Sequence, residues 1–238
     1  MKTQVIVPAA GLGVRLKSSI PKTLILLNDK PLVVYCLEVF QKCSFVDSVL
    51  LVAGKEIMSA YKSFLPDYDL TKVTKLVEGG ATRRESVAEG LNALDSDTDI
   101  VIVHDGARPF ITAQFMESCF SAALNEEALI TAVLVKPTIK MVNRNSMLVE
   151  STLDRSQLWE VQTPQIFKRK ILEKAHRDVQ LYDPSDDALL VEKLGGRVKV
   201  MLGDERNIKI TTQEDVAFAE AILKLRETEH AVAKKKKK

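Results

Sequence analysis

The sequence has little of what thiol- or metal-dependent chemistry needs. Its 238 residues include three histidines and three cysteines. Cys36, Cys43 and Cys119 are odd in number and scattered, with no CxxC pair, which excludes a disulfide framework and points to a reducing compartment. No His/Cys cluster has the spacing of a zinc site. Cys36 and Cys119 sit among apolar residues at helical spacing and read as packing residues. No stretch approaches the roughly 18 to 20 apolar residues of a membrane span. The N-terminal run MKTQVIVPAAG is too short for a signal peptide and leads straight into a glycine loop. A soluble, cytoplasmic protein is expected. An excess of one charge is lacking too: 34 basic residues face 32 acidic ones. Five of the basic residues are Lys234 to Lys238, so the rest of the chain is slightly acidic. That excludes a nucleic-acid-binding body, and the lysine run reads as a disordered, solvated tail over 230–238.

What is present is an alternation of short β-branched runs and helical patterns. Gln4 to Val7, Ser48 to Ala53, Lys75 to Val77, Ile100 to Val103, Leu129 to Val135 and Val198 to Leu202 read as strands. Most are continuously apolar, as in strands covered on both faces. Ile57, Tyr61, Phe64 and Leu65 fall at helical spacing, as do Val87, Leu91 and Leu94. Ser185 is placed to cap a helix through Leu194, stopped by Gly195 and Gly196. Thr211 and Glu214 form a capping box before Val216 to Leu225. This order predicts an α/β fold: a doubly wound, mostly parallel, Rossmann-like sheet, in one domain over 1–229. Ligands then bind beyond the C-terminal ends of the strands. Residues 137–156 break the rhythm as a β-hairpin with few apolar residues. Such a hairpin is marginal alone and needs a partner surface, so it is expected to be an arm that pairs two copies into a homodimer.

The residues after the first strand, Pro8-Ala9-Ala10-Gly11-Leu12-Gly13-Val14-Arg15, form a turn of small residues whose N–H groups can cradle an anion. A lone GxG is weak evidence. No GxxxxGK[ST] loop is present, and Leu16 stands where a dinucleotide loop has its third glycine. Two cations follow, Arg15 and then Lys22 behind Pro21, which suits a triphosphate. Glu78-Gly79-Gly80-Ala81-Thr82-Arg83-Arg84-Glu85-Ser86 runs from a strand into a helix, offering backbone donors to a base or phosphate. Val103-His104-Asp105-Gly106-Ala107-Arg108-Pro109 places a carboxylate at a strand's end, a common way to hold Mg²⁺ with phosphates. His104 reads as a packed or hydrogen-bonded residue.

Taken in order, these motifs resemble the nucleotidyltransferases that activate sugars and polyols. The PAAG turn, GGxxRxxSVxxGL over Gly79 to Leu91, VHDGARP, Leu153-Asp154-Arg155, LWxxQTPQ over Leu158 to Gln165, and Asn207-Ile208-Lys209-Ile210-Thr211 are similar to the 2-C-methyl-D-erythritol 4-phosphate cytidylyltransferases over residues 3 to about 226. The resemblance implies that CTP meets Pro8, Ala9, Ala10, Gly11, Gly13, Gly80 and Ser86, the last two at the cytosine. It implies Arg15, Lys22 and Lys209 as catalytic-site cations and Mg²⁺ on Asp105. Gly106, Arg108, Thr138, Arg155 and Ser185 would meet a polyol phosphate, Thr138 and Arg155 reaching the partner subunit's site. Trp159 is read as packing. The chain departs from the pattern at Ala81, Pro137 and Ser185, where relatives have Asp, Asp and Thr. Ribitol 5-phosphate is the rival acceptor, and a non-catalytic nucleotide-binding protein the rival of another class. The implied reaction needs no general base: an acceptor phosphate, with a second pKa near 6, is already mostly dianionic at neutral pH.

Overall fold

The structure, a computed structural model, describes residues 1–11, 20–179 and 184–236, with the backbone alone for 230 and 233–236. Gly13 and Arg15 lie outside the described residues. The expected strands are all present: β1 (Lys2–Pro8), β4 (Ser48–Ala53), β5 (Val73–Glu78), β6 (Thr98–Val103), β7 (Ala128–Leu134) and β11 (Val198–Leu202). A two-residue pair, β2 (Leu26–Leu27) and β3 (Lys30–Pro31), precedes β4. The helices are α1 (Leu32–Lys42), α2 (Met58–Phe64), α3 (Arg83–Asn92), α4 (Ala113–Ala123), α5 (Arg169–Asp178), α6 (Asp187–Lys193) and α7 (Gln213–Lys236). The hairpin is β8 (Lys140–Val142) and β9 (Val149–Thr152), a separate two-stranded sheet.

One strand was not legible in the sequence. Residues Trp159–Lys168 form β10, which lies between β6 and β7 and runs antiparallel to both. The sheet order is β11-β7-β10-β6-β1-β4-β5, and the other pairings are parallel. A proline inside a run argues against a central strand, because it cannot donate to the ladder. Here Pro164 sits where the register slips between Gln162 and Gln165, so no ladder bond is lost, and the Thr163–Pro164 peptide is cis.

Strand alternation builds two apolar layers from single strands. Val5 and Val7, Val49 and Leu51, and Ile100 and Ile102 pack on one face with α1, α2 and α4. Ile6, Leu50 and Val52, and Val101 and Val103 pack on the other with α3, α5 and α6. Gly90 lets α3 lie flush on β1: a Cβ there would come 2.6 Å from Ile6 Cγ2. A third cluster, including Leu27, Phe110 and Ile210, seats α7.

Several local expectations are corrected. Asp186, not Ser185, caps α6 by accepting from the Leu189 N–H at 3.0 Å. A carboxylate accepts more strongly than a hydroxyl, and the helix ends at Lys193, with Gly195 at φ +82° beyond it. At α7 the reciprocal bonds shift by one residue. Asp215 accepts from the Thr211 and Thr212 N–H groups, and Thr212 Oγ1 accepts from the Asp215 N–H. The backbone of α7 continues to Lys236, and the last two residues of the expected tail lie outside the described residues. Trp159 is 40% exposed at the start of β10 and is not a core residue.

Candidate functional site

In a parallel sheet the C-terminal ends of the strands share one edge. The segments after β1, β5 and β6 therefore converge, and the loop after β11 joins them. They enclose a cavity of about 180 Å³ lined by Pro8 to Gly11, Lys22, Gly80 to Arg83, Ser86, Asp105, Ala107 and Lys209. Residues as far apart in sequence as Pro8 and Lys209 thus share one small volume.

Each wall is built locally. Lys22 opens a short 3-10 turn, Lys22–Leu24, behind Pro21 at φ −53°. Thr23 anchors that turn, its hydroxyl 2.7 Å from the Tyr61 hydroxyl in the core. The Lys22 stem passes Gly11, where an added Cβ would lie 3.7 Å from Lys22 Cε. Opposite, Thr82 and Glu85 form the capping box of α3. Glu85 Oε2 accepts the Ala81 N–H at 2.6 Å and the Thr82 N–H at 3.1 Å, which sets the shape of the Gly80–Thr82 rim. Ser86 is buried, its hydroxyl donating to Thr82 O at 3.0 Å.

The floor is a charge cluster around Asp105. Its Oδ1 accepts from Arg83 Nε at 3.0 Å and its Oδ2 from Lys209 Nζ at 2.6 Å. Burial pushes the Asp105 carboxyl up, but the charges of Arg83 and Lys209 outweigh that and hold it well below the usual carboxylate range. Arg83 also donates through Nη1 to the buried Asp187 at 2.7 Å, and burial, which would lower its pKa, is more than offset by the two carboxylates. Arg83 and Asp187 were not singled out in the sequence, although Arg83 lies inside a recognised motif and Asp187 two residues after Ser185. Nothing in a linear pattern shows that residues 104 apart meet.

Among the described residues no group of three His, Cys, Asp or Glu side chains could hold a metal by itself. A magnesium ion does not need one: one carboxylate with substrate phosphates and waters suffices. Asp105 fits that role, since it lines the cavity and each of its oxygens, with one cationic donor, keeps further acceptor capacity.

A second cavity of about 390 Å³ shares Arg83, Asp105 and Lys209 and adds Arg108, Gln162, Thr163, Gln165 and Ser185. Ser185 is exposed on its rim. Arg108 is nearly buried, donating to Asn207 O at 2.6 Å and to Val161 O at 3.3 Å, and burial lowers its pKa. Among the described residues its Nε has no partner. Gly106 is buried and its N–H donates to Pro8 O at 3.2 Å, so its backbone donor is already used within the fold. Thr138 and Arg155 are exposed on or beside the hairpin and line neither cavity; Arg155 Nη1 donates to Lys136 O at 2.6 Å.

His104 is fully buried behind the site. Asp105 N–H donates to Thr163 Oγ1 at 3.0 Å, Thr163 Oγ1 lies 3.2 Å from His104 Nδ1, and His104 Nε2 lies 3.0 Å from Arg108 O. Those partners suit a neutral ring with its proton on Nε2. Burial pulls the imidazole down to about 4. The unfolded chain takes up this proton near pH 6.5, the folded chain only near 4. Stability is therefore expected to fall as pH drops between those values, by roughly 3 kcal/mol from this residue. Denaturant melts of wild type and His104→Asn check this: equal slopes across that window would remove His104 as the source.

A doubly wound sheet with a glycine turn, a lysine-lined cavity and a carboxylate at one strand edge defines a nucleotide-binding α/β protein of the transferase kind. The comparisons narrow that class. Residues 3–225 match the family model for 2-C-methyl-D-erythritol 4-phosphate cytidylyltransferase, and the chain belongs to that family. Proteins of that name from Alkaliphilus metalliredigens and Geobacillus kaustophilus are 44% and 42% identical, covering 94% and 96% of this chain and 94% and 100% of theirs. Among solved structures, the 4-diphosphocytidyl-2C-methyl-D-erythritol synthase of Anaerococcus prevotii superposes with a TM-score of 0.82 at 32% identity, over 94% of this chain and 96% of that one. The cytidylyltransferase of Thermus thermophilus gives 0.75 at 29% identity, over 94% and 100%.

Proposed function

We propose that the protein transfers the cytidylyl group of CTP to the phosphate of 2-C-methyl-D-erythritol 4-phosphate, forming 4-diphosphocytidyl-2-C-methyl-D-erythritol and releasing pyrophosphate. The observation that carries this reading is Asp105 held between Arg83 and Lys209 in the cavity that Gly11, Lys22 and Gly80 also line. The barrier is electrostatic: a phosphate dianion must approach a triphosphate in line with the leaving group. Positioned cations are the usual solution. Lys22 and Lys209 flank the α-phosphate, with Arg15 from the glycine turn. The small residues Pro8 to Gly11 and Gly13 let the backbone approach CTP, and Gly80 and Ser86 receive the base. Mg²⁺ on Asp105 would neutralise phosphate charge when bound. Arg108 and Ser185 border the second cavity, which suits the acceptor, and Gly106, beside Asp105 in the chain, meets the acceptor phosphate in this reading.

The hairpin is the dimerisation arm in this reading. Met141, Met147, Leu148 and Val149 are 50–75% exposed on it, and Leu202 is 62% exposed on the edge strand β11. Apolar surface of that kind marks an interaction site. Thr138 and Arg155 then serve the partner subunit's acceptor. Arg155→Ala is expected to raise KM for the acceptor about tenfold or more, on the scale of one charge-assisted hydrogen bond, while sparing CTP binding. Mixed dimers with a Lys22→Ala subunit should regain part of the activity. Equal KM values, or no recovery in the mixture, would argue against action across the interface.

Pyrophosphate release with each of four nucleoside triphosphates and with methylerythritol phosphate or ribitol 5-phosphate tests the whole reading. CTP with methylerythritol phosphate should be fastest. Faster turnover of ribitol 5-phosphate would reassign the acceptor, and CTP binding without turnover with either would leave a nucleotide-binding protein.

A further inference from the structure

The two aspartates after Ser185 do separate work. Asp186 caps α6 and accepts from Gln165 Nε2 at 2.7 Å, tying that helix to β10. Asp187 thus leaves the capping of α6 to Asp186. It is 1% exposed, lines neither cavity, and spends both carboxylate oxygens on neighbours: Oδ2 accepts from Arg83 Nη1 at 2.7 Å and Oδ1 from His176 Nε2 at 3.0 Å.

Arg83 joins the two halves of this arrangement. A guanidinium is planar, so fixing two of its N–H groups fixes the plane. With Nη1 held by Asp187, Nε is aimed at Asp105 Oδ1, and the other Asp105 oxygen is turned to Lys209. Resting on the proposed reaction, we propose that Asp187 is a positioning residue: through Arg83 it orients the Asp105 carboxylate toward the nucleotide's phosphates and metal. His176, with a side chain 6% exposed, holds Asp187 from behind. The array has a functional consequence. Were Lys209 to leave Asp105 for a phosphate, Arg83 would still hold the carboxylate in place. Groups that orient a metal's carboxylate ligand are worth 10- to 100-fold in metal affinity or activity.

The test is Asp187→Asn, which keeps shape and removes charge. Its readouts are Mn²⁺ binding in the presence of a non-hydrolysable CTP analogue, followed by electron paramagnetic resonance, together with kcat, KM for CTP and the thermal midpoint. The expected result is Mn²⁺ binding weakened 10- to 100-fold and kcat lowered on the same scale, with KM for CTP changed by less than about threefold. A merely structural role would lower the thermal midpoint and leave Mn²⁺ affinity and kcat of the folded protein at wild-type values, and that result overturns the proposal. Should Asp187→Asn fail to fold, His176→Asn removes only the rear support. It should weaken Mn²⁺ binding about threefold, less than the roughly 10- to 100-fold of a lost outer-shell contact because His176 lies one group further from the carboxylate ligand, and unchanged binding would overturn the proposal equally. Wild-type turnover separates the two ideas. If wild type releases no pyrophosphate from CTP, the reaction is wrong; if it does and Asp187→Asn matches it, only the positioning role is.

Discussion

Lys22→Ala is expected to cut kcat by about 100-fold or more, while KM for CTP rises far less. The reason is where the ammonium is held before any substrate arrives. Pro21 fixes the turn, Thr23 is bonded to the core tyrosine Tyr61, and the lysine stem lies along Gly11. A cation placed in advance stabilises charge that develops in the transition state without reorganising first. In the proposed reading CTP also meets Pro8 to Gly11, Gly80 and Ser86, which line the same cavity, so the ground state loses less than the transition state. Steady-state kinetics with single-turnover measurements separate the two. A near-normal kcat with a raised KM would make Lys22 a binding residue only.

Asp105→Asn should have an effect of similar size, by a different route. Asparagine fits the space but cannot balance Arg83 and Lys209, and one of its two heads is an N–H donor facing a cation. Removing one partner from a buried charge cluster costs about 3–5 kcal/mol of stability. Turnover should fall by a further factor of about 100 or more relative to the folded fraction, since the carboxylate between Arg83 and Lys209 that is proposed to hold the metal is gone. Thermal melts and metal titrations of activity measure the two losses. Wild-type metal dependence in the variant would remove Asp105 as the metal ligand. Asp187→Asn should be milder than Asp105→Asn in every readout, because it acts through Arg83 instead of touching the phosphates.

Much of this site is legible in sequence because its parts are local. The turn after β1, the rim before α3 and the carboxylate after β6 are each a short run of residues whose spacing carries their chemistry. The apolar character of β1, β4 and β6 on both faces likewise announces a covered parallel sheet. What escaped was what depends on distance. β10 hides behind its proline, because only the slipped register against β7 shows that no ladder bond is lost. The cap of α6 moved from Ser185 to Asp186 because Asp186 also has Gln165 to meet, on a strand the sequence did not reveal.

By itself, then, the sequence determined the layered sheet, the edge where ligands gather and the identity of most cavity-lining groups, since propensity, strand alternation and motif spacing act over a few residues. Only the tertiary structure decided the state of those groups: that Asp105 is shared by Arg83 and Lys209, that Arg83 is braced by Asp187, and that the Gly106 N–H and the two terminal nitrogens of Arg108 donate inside the fold. Charges and hydrogen-bond donors are assigned by proximity in three dimensions. Proximity between residues a hundred positions apart is a property of how the layers pack, which no run of neighbouring residues encodes.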